Sequence, residues 1–178
     1  MRLAALILLI APAWGAQAPL KVAAVGVPEK PNSLRQAFTD LEKRMDSKVS
    51  SADAKDPIDL LGLSRGLYLQ GYGVVFTTEV SLIVTPTPNP FRQQITKEEA
   101  TRVHQRKLEH LPLLKKAMHD MWMDVASSLT SVPDTEQVVL AVRVLYYPWE
   151  DTKGLPGQIV MKGPRKAALT GNIQTEEQ

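Results

Sequence analysis

The sequence predicts an α+β fold: a small, mainly antiparallel sheet with a long, Pro-kinked helix packed on one face, plus an N-terminal helix. Three observations carry this. Apolar and polar residues alternate through Val74–Val84 and again through Gln137–Tyr147, the period of a half-buried strand. Between them, from Thr96 to about Thr130, apolar residues recur at helical spacing. The chain of 178 residues is 44% hydrophobic and has no cysteine, so its stability rests on a packed core with no disulfide framework.

The first eighteen residues read as an export signal. Arg2 supplies a positive start, Leu3 to Ala11 is an unbroken apolar run, and small residues follow Pro12. The run is too short to span a bilayer. Cleavage fits after Ala18, after Gly15 or after Ala13. The implied location is periplasmic or secreted, with no transmembrane segment once the signal is cut. The formal charge is +2, from 21 basic and 19 acidic residues, and calls for neither nucleic acid nor an anionic membrane. The organisation read is a signal over residues 1–18, then an extended leader, helix and polar loop over 19–56, then an α+β domain over 57–178.

Pro19, Pro28 and Pro31 mark the extended leader. A helix then starts at Asn32 or Ser33, where Ser33 and Gln36 have capping-box spacing. Leu34, Phe38, Leu41 and Met45 form one stripe, which covers the domain's own core or seats a partner helix. Asp40 and Arg44 can pair on its other side. Residues 47–56 are a polar loop, and Pro57–Leu63 reads as a short helix with Asp56 as cap. Gly71-Tyr72-Gly73 is a hairpin turn pairing Leu67–Leu69 with Val74–Phe76, or else a bulge in one long strand. Val74, Phe76, Thr78, Val80, Leu82 and Val84 share one face.

Pro86, Pro88 and Pro90 make a stiff connector. Thr96 caps the long helix with Glu99 completing the box, and Pro112 predicts a kink or a restart near His110-Leu111. The second strand, Gln137–Tyr147, is followed by a loop, a short strand at Gln158–Met161, a helical turn at Pro164–Leu169 and a frayed edge strand at Asn172–Thr175. The two main strands are expected to be neighbours, with Glu79 and Arg143 meeting across the ladder for at most about 1 kcal/mol.

Candidate chemistry is sparse. Gly62-Leu63-Ser64-Arg65-Gly66 has the G-x-S-x-G pattern of a nucleophile elbow, but the elbow needs a strand before Ser64 and a helix after it, and the order here is reversed. His104, His110 and His119 lie on the long helix at spacings that share no metal-binding face, and they read as solvated or capping side chains. Arg92, Lys97, Arg102, Arg106, Lys107, Lys115 and Lys116 outnumber Glu98, Glu99 and Glu109, but the acids are interspersed, as on a solvated helix face. Tyr146-Tyr147-Pro148-Trp149-Glu150-Asp151 gathers rings and carboxylates at a strand end. It suits either core packing or a binding edge for sugar or peptide, and Glu150 with Asp151 are candidate paired acids. No residue pattern calls for a metal or a cofactor.

The run Gly66-Leu67-Tyr68-Leu69-Gln70-Gly71-Tyr72-Gly73-Val74-Val75-Phe76-Thr77-Thr78-Glu79-Val80, with His104–Leu108 and Tyr147–Asp151, resembles a family of uncharacterised exported bacterial proteins with a Y-L-x-G-Y-G-x-V-F strand, a likeness over most of residues 57–170. That resemblance implies export but no activity and no site residues.

The expected function is therefore a non-enzymatic exported domain that binds another envelope protein or itself. Its surface would be the less apolar sheet face, bearing Val75, Ile83, Val139, Leu145 and Tyr147, with Glu79, Arg143 and Trp149 beside them. The alternatives are a hydrolase using Ser64 or the Glu150/Asp151 cluster, and a small-ligand carrier with a pocket between the long helix and the sheet.

Overall fold

The computed structural model describes residues 31–87 and 94–178, so the signal, the leader up to Lys30, the connector prolines Pro88 and Pro90, and Arg92 lie outside the described residues, and Pro31, read as leader, opens a helix. Helix α1 (Pro31–Ser50) leads to strands β1 (Asp59–Leu69) and β2 (Gly73–Ser81). Helix α2 (Lys97–Ser128) then leads to β3 (Gln137–Val144) and β4 (Gln158–Pro164). A 3₁₀ turn (Arg165–Leu169) and β5 (Gln174–Glu177) complete the chain. The strands form one sheet in the order β1-β2-β3-β4-β5, antiparallel throughout except for the parallel pair β2–β3. A parallel pair needs a long crossover, and α2 supplies it. The fold is α+β, with α1 and α2 packed on the sheet.

Helix α1 begins two residues before the expected Ser33 cap. Its stripe packs inward as expected, with Phe38, Leu41, Met45 and Val49 buried in the sheet's core. Asp40 and Arg44 do not pair. Asp40 accepts from Gln36, and Arg44 donates to Ser128 at the end of α2.

The short helix expected at Pro57–Leu63 is instead the start of β1. Leu61, Leu63, Leu67 and Leu69 stand at odd positions and are all exposed, with Ser64 and Gly66 turned the other way. That is strand periodicity. Asp56 is not a cap, because its carboxylate takes two bonds from Arg106, at 3.0 and 2.6 Å. The turn at Gly71–Gly73 is a hairpin, with Leu69 opposite Gly73 and Leu67 opposite Val75. The irregularities lie in β1 itself, between Leu60 and Gly62 and between Gly62 and Arg65. Gly73 has φ +134, and a Cβ there would lie 2.0 Å from the Gln137 carbonyl oxygen, so only glycine lets β3 approach.

Strand β2 buries Val74, Phe76, Thr78 and Val80 as predicted but ends at Ser81. The Ser81 hydroxyl donates to the Ile83 carbonyl, and the alternation breaks there: Ile83 is buried and Val84 exposed, the reverse of what continued alternation requires. Thr96 caps α2 with Glu99 in a complete capping box. Pro112 causes no restart, because Lys97–Ser128 is one helix with the exposed proline inside it.

The core lies between the helices and one sheet face. Phe38 stacks on Phe76 with centroids 5.2 Å apart. Leu114, Met118, Met121 and Val125 of α2 pack on Val74, Val138, Leu140 and Val142, and the Trp122 indole donates to the Val138 carbonyl at 2.9 Å. On the opposite face, Glu79 and Arg143 occupy facing positions of β2 and β3 and pair at 3.4 Å, as expected.

The stacked phenylalanines leave no room at Gly66, where a Cβ would lie 2.4 Å from a Phe76 ring carbon and 2.6 Å from one of Phe38. Gly66→Ala should therefore cost about 1–3 kcal/mol through overpacking. Gly62→Ala, whose new Cβ meets nothing nearer than 4.0 Å, should be close to neutral. Urea unfolding of the two variants checks the contrast; equal stabilities would refute it.

Candidate functional site

Ser64 is not at an elbow. It sits within β1, fully buried, and its Oγ has no hydrogen-bond partner. Its backbone N–H donates to the Asp46 carboxylate at 2.8 Å. All three histidines lie on α2, engaged elsewhere or solvated, so no imidazole is placed to activate the hydroxyl.

Glu150 and Asp151 do not face one another as paired acids. The Glu150 side chain is buried against Lys107 of α2, with Nζ 2.5 Å from Oε2 and the side chains 0% and 1% exposed. Its other oxygen accepts from the Tyr147 N–H at 3.1 Å. The Lys107 ammonium also lies 4.9 Å from the centre of the Tyr146 ring, whose hydroxyl donates to the Pro156 carbonyl. Asp151 accepts from the Lys153 N–H, while its carbonyl meets His104 Nδ1 at 2.9 Å. The cluster thus clamps residues 146–157 onto α2. Burial pushes the Lys107 ammonium down from its ordinary value, against the opposing hydrogen bond and charge of Glu150. Burial, then the Glu150 charge, pushes the Tyr146 phenol well above its ordinary range. Tyr147 stays exposed and stacks on Trp149, with centroids 6.2 Å apart and planes 7° from parallel.

His110 is buried, which overturns its reading as a solvated or capping side chain. Nδ1 meets the Arg106 carbonyl at 2.8 Å and Nε2 the Asp56 carbonyl at 2.9 Å, tying α2 to the loop before β1. Among the described residues, no group of three or more potential ligands is placed to hold a metal ion. The basic run on α2 is largely neutralised. Arg106 pairs with Asp56, Lys107 with Glu150, Lys115 with Glu177 and Lys116 with Asp120.

The space between α2 and the sheet is filled by the core side chains named above. A cavity of about 510 Å³ lies on the other face, lined by Gly62, Leu63, Thr77, Glu79, Ala141 and Arg143 among others. Strand register organises this face into rows across the sheet. Leu67, Val75, Val139 and Lys162 form one row; Arg65, Thr77, Ala141, Val160 and Glu176 the next. Glu79, Arg143 and Gln158 form a third, with Leu63 beside Glu79 in the cavity wall. The apolar exposure differs from expectation. Val139 and Ile83 are buried, and Val75 and Leu145 half-buried. The exposed surface is on β1: Leu63 at 63%, Leu67 at 48% and Leu69 at 46%. Sequence reasoning missed Leu63 and Arg65 as surface groups because that stretch reads as a helix followed by a turn; the period of two from Leu61 to Leu69 was the available signal.

Among the described residues, no helix is long and apolar enough to cross a membrane. No family model, curated protein or solved structure matches the chain.

The Lys107–Glu150 pair yields two expectations. Lys107→Met should cost about 3–5 kcal/mol because it strands a buried carboxylate, whereas Lys107→Met with Glu150→Leu should regain most of that loss. Urea midpoints decide it, and a double variant no better than the single one would refute it. In alkali, the folded chain holds the Tyr146 proton longer than the unfolded chain. Stability from this group is complete below about pH 10 and falls above it. Lys107 acts oppositely, its contribution rising as pH approaches 10.5, where the unfolded chain also loses its proton. Tyr146→Phe should therefore flatten the decline in urea midpoint above about pH 10; an unchanged slope would contradict the assignment.

Proposed function

We propose that this chain is an exported, non-enzymatic domain that binds another envelope protein, or a second copy of itself, through the sheet face opposite its helices. One observation carries the reading: Leu63, Leu67 and Leu69 stand exposed on that face, beside the cavity over β2 and β3. Several large apolar side chains exposed together on one sheet face are typical of interaction sites. The Arg143–Glu79 pair beside it suits the polar part of such a site. Export is supported by the Leu3–Ala11 run after Arg2 and by the resemblance to exported bacterial proteins.

The reading accounts for the residues that carry no chemistry. Ser64 is buried without a base, and Glu150 is held by Lys107. Neither is arranged for hydrolysis. Tyr147, Glu79 and Arg143 remain exposed and can contribute to the interface.

Incorporation of a photo-crosslinking residue in place of Leu67, in the full chain expressed in its native host, tests the proposal. Irradiation should give a discrete adduct at position 67 and none from a control position on the exposed side of α2, such as Lys116. Equal labelling at the two positions, or no adduct with a strictly monomeric chain by light scattering, would refute it.

A further inference from the structure

Resting on that reading, we infer that the occupant of the open face is an amphipathic helix of a partner protein that sets a carboxylate against Arg65. An exposed edge strand usually invites a partner strand. Here the middle of that edge is closed, because the Ser64 and Gly66 N–H groups donate to Asp46 and Glu42 of α1, each at 2.8 Å. A partner at this place must meet side chains on the face.

Parallel strands are normally covered by helices on both faces, since the crossover that joins them supplies one cover and a second layer the other. The β2–β3 pair has α2 on one side only. The short side chains Thr77 and Ala141 lie side by side there, between Leu63, Glu79 and Arg143 in one row and Leu67 in the other. The resulting trough of about 510 Å³ has room for the side-chain ridge of a helix.

Glu79 is paired with Arg143, and Lys162 with Glu176. Arg65 stands among Leu63, Leu67 and Leu69, and its guanidinium reaches only the Ser64 carbonyl, at 3.1 Å. No carboxylate among the described residues pairs with it. Covering the leucines would also draw water away from this cation, which is costly unless the partner supplies an anion. A second copy offers on this face Glu79 and Glu176, both already engaged, and Asp59, which lies opposite Ser81 at the far end of β1 from Leu67 and Leu69. The geometry therefore favours a different protein over self-association.

Three otherwise identical leucine-faced helical peptides of about 18 residues, roughly five turns, provide the probe. They carry Glu, Gln or Lys beside the leucine stripe and are titrated against the full chain by fluorescence anisotropy. The Glu peptide should bind about tenfold more tightly than the Lys peptide, and Arg65→Glu should invert that order. Leu67→Glu should weaken all three. Both substituted positions are exposed, and circular dichroism verifies folding. Equal affinity for Glu and Lys peptides, with Leu67→Glu still weakening them, overturns the role of Arg65 and leaves the binding face standing. An adduct at position 67 in cells without any peptide binding overturns the helical occupant, and an adduct made only to a second copy overturns the partner. Absence of both adduct and binding removes the parent reading as well.

Discussion

The crossover from β2 through α2 to β3 is the constraint on which the rest of the architecture depends. Two adjacent parallel strands cannot be joined by a tight turn, so a long element must return the chain to the same end of the sheet. The 32 residues of α2 do this and bury Leu114, Met118, Met121, Trp122 and Val125 on one side of the pair. The remaining connections in the sheet are antiparallel and local. Helix α1 then closes over β1 on the same side, so the two layers of the core are complete with the second face of the sheet still open.

Charged groups, among them Lys107 and Glu150 from the sequence candidates, are consumed in holding this arrangement. Asp46 and Glu42 stand in for a missing neighbour strand at the β1 edge. Asp56 and His110 attach the α1–β1 loop to α2, and Lys107 with Glu150 attaches the loop after β3 to the same helix. Each interaction joins segments distant in sequence through a buried or half-buried polar contact. Such contacts are strongly destabilising when half removed, even where the intact pair adds little over an apolar substitute. They make α2 the common anchor for both irregular segments.

Elements governed by local patterns were legible in the sequence. The Thr96–Glu99 box, the α1 stripe and the alternation of β2 as far as Ser81 and of β3 as far as Val144 depend on neighbours within a few residues and appear as read, whereas the continuations expected to Val84 and Tyr147 do not. The facing of Glu79 and Arg143 was also legible, because each sat on the less apolar side of a strong strand. Failures arose where tertiary partners decide. Asp56-Pro57 has the chemistry of a helix start, yet its carboxylate is taken by Arg106 and the backbone beyond it is paired with β2. The buried Lys107–Glu150 pair was illegible for the same reason: neither residue has a sequence neighbour that announces the other, 43 positions away. Pro112 shows that a proline can sit within a long helix when its ring faces solvent and tertiary packing holds the turns around it.

On the proposed reading, the open face is a selective surface more than a general liability. An uncovered sheet with exposed leucines risks pairing with any extended chain, and proteins counter this by closing the edge and distributing charge. Both devices are present. The β1 edge is met by two carboxylates, and the face carries paired charges, Glu79–Arg143 near its centre and Lys162–Glu176 on its β4–β5 side. These pairs restrict the apolar surface to a band on β1, interrupted by Arg65. A nonspecific apolar partner would have to desolvate that guanidinium without compensation, so the residue that weakens indiscriminate binding is also the one able to reward a correctly placed carboxylate. Discrimination of this kind needs no deep pocket, only one charge placed where burial makes its partner matter.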